Sequence, residues 1–165
     1  MLKPIQLPAN VVSILTERLK DEYAAHYFYR NASNWCKNVG YLKAGAFFDA
    51  EASSELEHAQ GIQDYLTDWN VTFSLPVISP PAKVSALTSV IEAAYEIEYD
   101  LYESYEKNSN TILFDIKDTC TFDFLAKYRT IQRESVAEYA TLINKLTLFD
   151  NKDKNFLFLF EQENF

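Results

Sequence analysis

Four long runs of this 165-residue chain repeat their apolar residues every three or four positions with few breakers, and each apolar stripe is interrupted mid-run by polar side chains. The interruptions are Glu22 in the first run, Glu55 and His58 in the second, Glu98 in the third and Gln132 in the fourth. A helix that buries such a stripe must bury the polar residue with it, so the chain can fold only into a bundle whose core satisfies those groups.

The first helix is expected from about Asn10, a plausible N-cap, to about Asn38, with Leu15, Leu19, Glu22, His26, Tyr29, Ser33 and Cys36 inward. Gly40 separates it from a second helix over roughly Tyr41 to Trp69, with Ala44, Phe48, Glu51, Glu55, His58, Ile62 and Tyr65 on one face. Gly45 and Gly61 each weaken that helix by roughly 1 kcal/mol relative to Ala, a cost that close helix packing would excuse.

The apolar but proline-rich stretch from Thr72 to Pro81 cannot be helical. It is expected to lie extended along the bundle as a long crossover, which makes the second and third helices parallel. The third helix is expected from about Ser85 to Lys107, a polar gap from Asn108 to Lys117, and the fourth helix from about Thr121 to Leu148. Behind Asp150-Asn151-Lys152-Asp153, the segment Phe156 to Phe160 is too short to stand alone and too apolar to leave exposed, which suits a short fifth helix in an oligomer contact. The fold class is therefore all-α, a four-helix bundle with one long crossover between helices two and three plus a short C-terminal fifth helix, in a single domain over residues 1–165.

Composition narrows the function. A net charge of −9 argues against nucleic acid or an anionic membrane as partner and favours cations. No run reaches the length needed to span a bilayer, and the N-terminus lacks the pattern of a secretion signal, so the expected compartment is the cytoplasm. Cys36 and Cys120 form no Cys-x-x-Cys pair, which argues for free thiols over a zinc site or a disulfide.

Glu55-x-x-His58 places a carboxylate and an imidazole one helical turn apart on one face, where both can reach a single cation. No Lys or Arg is expected on the stripes of Glu22, Glu55 and Glu98, so their buried charge calls for metal. Two cations would satisfy three carboxylates, one imidazole and the Gln132 amide, and oxygen donors with a single His suit iron, with Glu55 as the bridge. Tyr29, seven residues after Glu22 and on the same face, can hydrogen-bond a ligand or donate an electron. His26 is expected to pack at a bundle end. Glu51 and Glu57 flank the site, either lining an interior or solvated.

At these residues the chain resembles the non-haem bacterial ferritins over almost its whole length. Glu22 with Tyr29, Trp35-Cys36, Glu55-x-x-His58 with Asp64-Tyr65-Leu66, Leu75-Pro76 through Pro81, Glu98, and Phe124-Leu125 with Tyr128 and Gln132 carry the likeness. The resemblance implies that Glu22, Glu55 and His58 hold one iron and that Glu55 and Glu98, with Gln132 nearby, hold the other. It further implies an iron-storage shell of 24 subunits, in which Fe(II) is oxidised by dioxygen or hydrogen peroxide and stored as a ferric mineral.

Departures from the family pattern are specific. Ser54, Ile131 and Ser135 stand where many bacterial members carry acidic residues for a third iron position, and only Glu134 is retained, as an outlying candidate ligand. Asp118 and Asp123, near the start of the fourth helix, are candidates for attracting Fe(II) at a pore. The only methionine is Met1, which leaves no ligand for the haem of the bacterioferritin branch. The alternatives are a di-iron oxidase or peroxidase that forms no cage and a catalytically silent helical bundle.

Overall fold

In the computed structural model, which describes residues 1–148 and 153–165, the chain is built from helices. They are α1 (Ala9–Val39), α2 (Leu42–Asp68), α3 (Leu87–Asn110), α4 (Thr119–Leu146) and α5 (Lys154–Asn164). The polar link at Asp150 to Lys152 lies outside the described residues.

Side-chain pairings set the helix directions. Tyr23 meets Gln63 and Arg30 meets Asp49, so α1 and α2 run antiparallel; Glu22 meets Tyr105 and Tyr29 meets Glu98, so α1 and α3 are antiparallel too. It follows that α2 and α3 are parallel, as a long crossover requires. On the other side His58 meets Tyr128 and Glu51 meets Tyr139, which turns α4 against α2.

The α1–α2 corner is tight. Gly40 adopts φ 100°, a left-handed conformation that a side chain would strain, and its N–H closes back on Cys36 and Lys37. Beyond the corner Ser33 Oγ donates to Gly45 O at 2.7 Å, and a Cβ on Gly45 would come within 2.5 Å of Lys37 Cγ. The helix cost of Gly45 is thus offset by close approach of the two backbones. Residues 71–86 carry no helix or strand; Val71, Phe73 and Val84 pack half-buried on the core, and Ala82 O accepts from Asn31.

Three boundaries differ from the sequence expectation. Asn10 does not cap α1: the helix starts at Ala9 behind Pro8, and Asn10 Oδ1 accepts Val11 N–H at 3.0 Å inside the first turn. The gap expected after Lys107 is helical, because nothing from Asn108 to Lys117 is Gly or Pro and the ladder continues. It widens into a π-helical segment, Thr111–Ile116, that buries Ile112 and ends at Lys117 with φ 65°. The C-terminal helix reaches Asn164, well past Phe160.

Capping explains two acidic residues. Asp118 accepts Thr121 N–H at 3.1 Å and Thr121 Oγ1–H at 2.7 Å, so this carboxylate begins α4. Asp153 accepts Asn155 N–H at 2.8 Å and begins α5. The amphipathic α5 buries Leu157, Phe160 and Glu161 and leaves Phe158 and Leu159 exposed.

Candidate metal centre

Each ligand candidate reaches the bundle interior because its helix buries the stripe on which it lies. Glu22, Glu98 and Gln132 are fully buried, Glu55 nearly so, and the His58 side chain is 16% exposed. Glu22, Glu55 and His58 each place one ligand atom within 4.8 Å of the other two. His58 Nδ1 lies 3.1 Å from Glu55 Oε2 and 3.4 Å from Glu22 Oε2.

Tyrosines hold the far side of the two terminal carboxylates. Tyr29 donates to Glu98 Oε1 and Tyr105 donates to Glu22 Oε1. The other oxygen of Glu98, Oε2, has no partner, that of Glu22 faces only His58 Nδ1 at 3.4 Å, and neither polar atom of the Gln132 amide has a partner. Buried polar groups without partners cost about 1–3 kcal/mol each. Glu22 Oε2 lies beside the Glu-x-x-His pair, Glu98 is close enough to repel Glu55, and the Gln132 amide is buried on α4 without a partner; oxygen donors with a single imidazole are the set that divalent iron takes, so the residues fit the metal.

Electrostatics agree with a site short of positive charge. Burial pushes the Glu98 carboxyl up to about 7, with Glu51 and Glu22 adding repulsion. Burial also raises Glu55 well above the usual carboxylate range, and Glu22 and Glu98 raise it further. For Glu22 burial acts in the same direction, but hydrogen bonds with His58, Glu55 and Tyr105 outweigh it and keep Glu22 ionised. Burial opposes charge on His58, yet its contacts with Glu22 and Glu55 prevail and push its pKa up to about 10.

Not every candidate joins this group. Glu134 is exposed on α4, and two residues beyond Gln132 it points roughly 200° away around the helix. Ser54 is exposed, and Ile131 and Ser135 are half-buried. His26 turns its Nδ1 to the Ala52 carbonyl, a packing role. Glu51 is half-buried and accepts from Tyr139 at 3.3 Å, whereas Glu57 is exposed.

Two neighbours escape a reading of the stripes alone. Arg18 does share the Glu22 face, one turn earlier, contrary to expectation. It is 7% exposed, pairs with Asp21 at 2.6 Å, and sets its guanidinium 6.0 Å from the Tyr105 ring centre. Its guanidinium is itself buried: Nη2 pairs with Asp21, while Nε and Nη1 have no hydrogen-bond partner. The other is Tyr105, for which a signal exists: it follows Glu98 by seven residues as Tyr29 follows Glu22. Because α1 and α3 are antiparallel, seven residues along one helix arrives beside the carboxylate of the other, so the two phenols serve each other's helices.

Among the described residues no helix is long and apolar enough to cross a membrane. The model of the ferritin-like domain matches residues 12–149. A bacterial non-heme ferritin of Campylobacter jejuni is 31% identical, covering 94% of this chain and 93% of its own length. A probable bacterial non-heme ferritin-like protein of Haemophilus influenzae is also 31% identical, over 95% and 94%. Among solved structures, the open pore ferritin of Archaeoglobus fulgidus superposes with a TM-score of 0.87 at 21% identity, covering 96% of this chain and 98% of that one. Chlorobium tepidum ferritin gives 0.83 at 26% identity, with 96% of each chain covered. With its bundle, its crossover and its buried Glu and His side chains, this chain belongs to the ferritin family.

Proposed function

We propose that the chain, acting as one domain, oxidises Fe(II) at a two-iron centre and stores the ferric product inside a homo-oligomeric shell of 24 subunits. The observation that carries this reading is the cluster of Glu22, Glu55 and His58 ligand atoms within 4.8 Å of one another, with Glu98 Oε2 and the Gln132 amide also buried and without hydrogen-bond partners. Iron is the substrate. Glu22, Glu55 and His58 bind one ion; Glu55, Glu98 and Gln132 bind the other; Glu55 is shared. Glu134 takes no part, and no third iron position is proposed.

The residues do three things in this scheme. Their carboxylates neutralise the ions and hold them close enough to give up one electron each to the same oxidant, dioxygen or peroxide. The aromatic wall of Tyr29, Tyr105, Tyr128 and Tyr139, all buried, keeps bulk water out. Tyr29, donating to Glu98, is placed to orient that ligand. The overall change takes one electron from each of two Fe(II) ions and two protons from solution per dioxygen reduced to hydrogen peroxide. In this reading the chain works in the cytoplasm, with iron and its oxidant as substrates and no haem.

The test is oxidation kinetics in the wild type beside Glu55→Ala. Two Fe(II) per subunit are added without oxygen, oxygen is admitted, and ferric absorbance and oxygen uptake are followed. Rapid oxidation of both ions in the wild type, slowed at least about tenfold in the variant, is the expected result. Equal slow rates would overturn the ferroxidase reading, and a monomer or dimer by light scattering would overturn the shell.

A further inference from the structure

Glu22 and Glu98 are held alike by phenols from opposite helices, and only one of those phenols, Tyr29, has a role in the reading above. Tyr105 is fully buried on α3, and its hydroxyl donates to Glu22 Oε1. Its ring stacks on Tyr128 with centroids 5.2 Å apart and planes 10° apart, while Arg18 covers it at 6.0 Å. Tyr128 is anchored in turn through its hydroxyl to the His58 carbonyl at 3.1 Å. The phenol of Tyr105 therefore sits in a fixed place between the helix that carries Glu22 and the turn that carries His58.

That contact divides the labour of the Glu22 carboxylate. Oε1 is occupied by the phenol. Oε2 is turned to the other side, where it faces His58 Nδ1 at 3.4 Å. We infer that Tyr105 is a positioning residue for the ion held by Glu22, Glu55 and His58, restricting Glu22 to ligation through a single oxygen, Oε2. Tyr29 does the same for Glu98, whose Oε2 is left open. The centre thus has one phenol for each metal position, and each acts on one position only.

The inference rests on the two-metal reading, and the experiment separates the two. Co(II) is titrated anaerobically into the whole protein and its visible absorption is followed. The band missing from His58→Ala identifies the position that includes the imidazole. Tyr105→Phe keeps the ring that stacks on Tyr128 and removes only the hydroxyl. It should weaken Co(II) binding at the imidazole band about tenfold, the usual effect of losing a ligand's hydrogen-bond partner. The same band should lose intensity as Glu22 becomes free to chelate through both oxygens. Tyr29→Phe should alter the other band instead.

Equal behaviour of Tyr105→Phe and wild type at both bands would overturn the assignment. So would equal weakening of both bands together with a lowered melting temperature, because that is the signature of packing alone. A wild type that takes up no Co(II) would overturn the metal reading itself, and this inference with it.

Discussion

Glu161, near the C-terminal end, places one carboxylate oxygen on the backbone N–H groups of Lys43 at 2.6 Å and Ala44 at 3.0 Å, the first turn of a helix more than a hundred residues earlier. Helix α2 begins at Leu42 behind Tyr41, which offers no side-chain cap, so its free N–H groups face the interior unsatisfied unless α5 supplies the acceptor. An anionic side chain at a helix N-terminus also meets the positive end of the dipole.

Glu161→Ala should therefore destabilise the protein by about 2 kcal/mol, from a lost cap and two N–H groups left without partners, one buried and one partly buried. Chemical denaturation measures the loss. Hydrogen exchange should show faster opening at Lys43 and Ala44 than in the middle of α2. No change at those two amides would mean that α5 does not hold the start of α2.

Gly61 is a site of close approach, since a Cβ there would lie 2.6 Å from the buried Tyr128 hydroxyl. Gly61→Ala gains about 1 kcal/mol of helix propensity and meets about 1–3 kcal/mol of overpacking, for a net loss of about 1 kcal/mol. Adding Tyr128→Phe removes the obstructing oxygen, so the double variant should be more stable than Gly61→Ala alone. Additive effects in the denaturation cycle would show that the two positions do not touch.

The helix periodicity made most of this legible. A stripe with a period of three to four residues maps each position to a face, and that mapping placed Glu22, Glu55, Glu98 and Gln132 inside without reference to other helices. Pairings between helices depend on register, which one stripe does not carry: Tyr29 shares a face with Glu22 yet its hydroxyl goes to Glu98. The π-helical segment after Asn110 was hidden because its residues, Thr111 to Ile116, are ordinary helix formers with no local mark of a widened turn. Arg18 was hidden because the groups that hold its charge inside, Asp21 and the Tyr105 ring, are not marked by its own stripe. The cap from Glu161 joins distant segments and has no local signal at all.

Helix α5 exposes Phe158 and Leu159, at 53% and 58%, on the face away from the bundle. Two large apolar residues side by side at a surface suit burial between copies of the chain. Phe158→Glu with Leu159→Glu should leave the helix content unchanged by circular dichroism and, by light scattering, shift the proposed shell to small species. A shell that forms normally with both charges present would place the oligomer contacts elsewhere.

Metal binding at this centre has to displace protons. His58 with a pKa pushed up to about 10 carries its proton through the physiological range, and the ring must lose a proton to offer a lone pair at Nδ1. Glu98, pushed up to about 7, is mostly protonated at about pH 6 and mostly ionised at about pH 8. Lowering the pH therefore strengthens the competitor, and affinity should fall about tenfold per unit for each proton displaced. Zn(II) titrated into weakly buffered protein should release more protons per subunit at pH 6 than at pH 8, the proton that Glu98 loses between them making part of the difference and any held by the raised Glu55 adding to it. The His58 proton should be released at both. Equal release at the two pH values would mean that Glu98 does not titrate between them, and no release at either would mean that His58 is not a ligand.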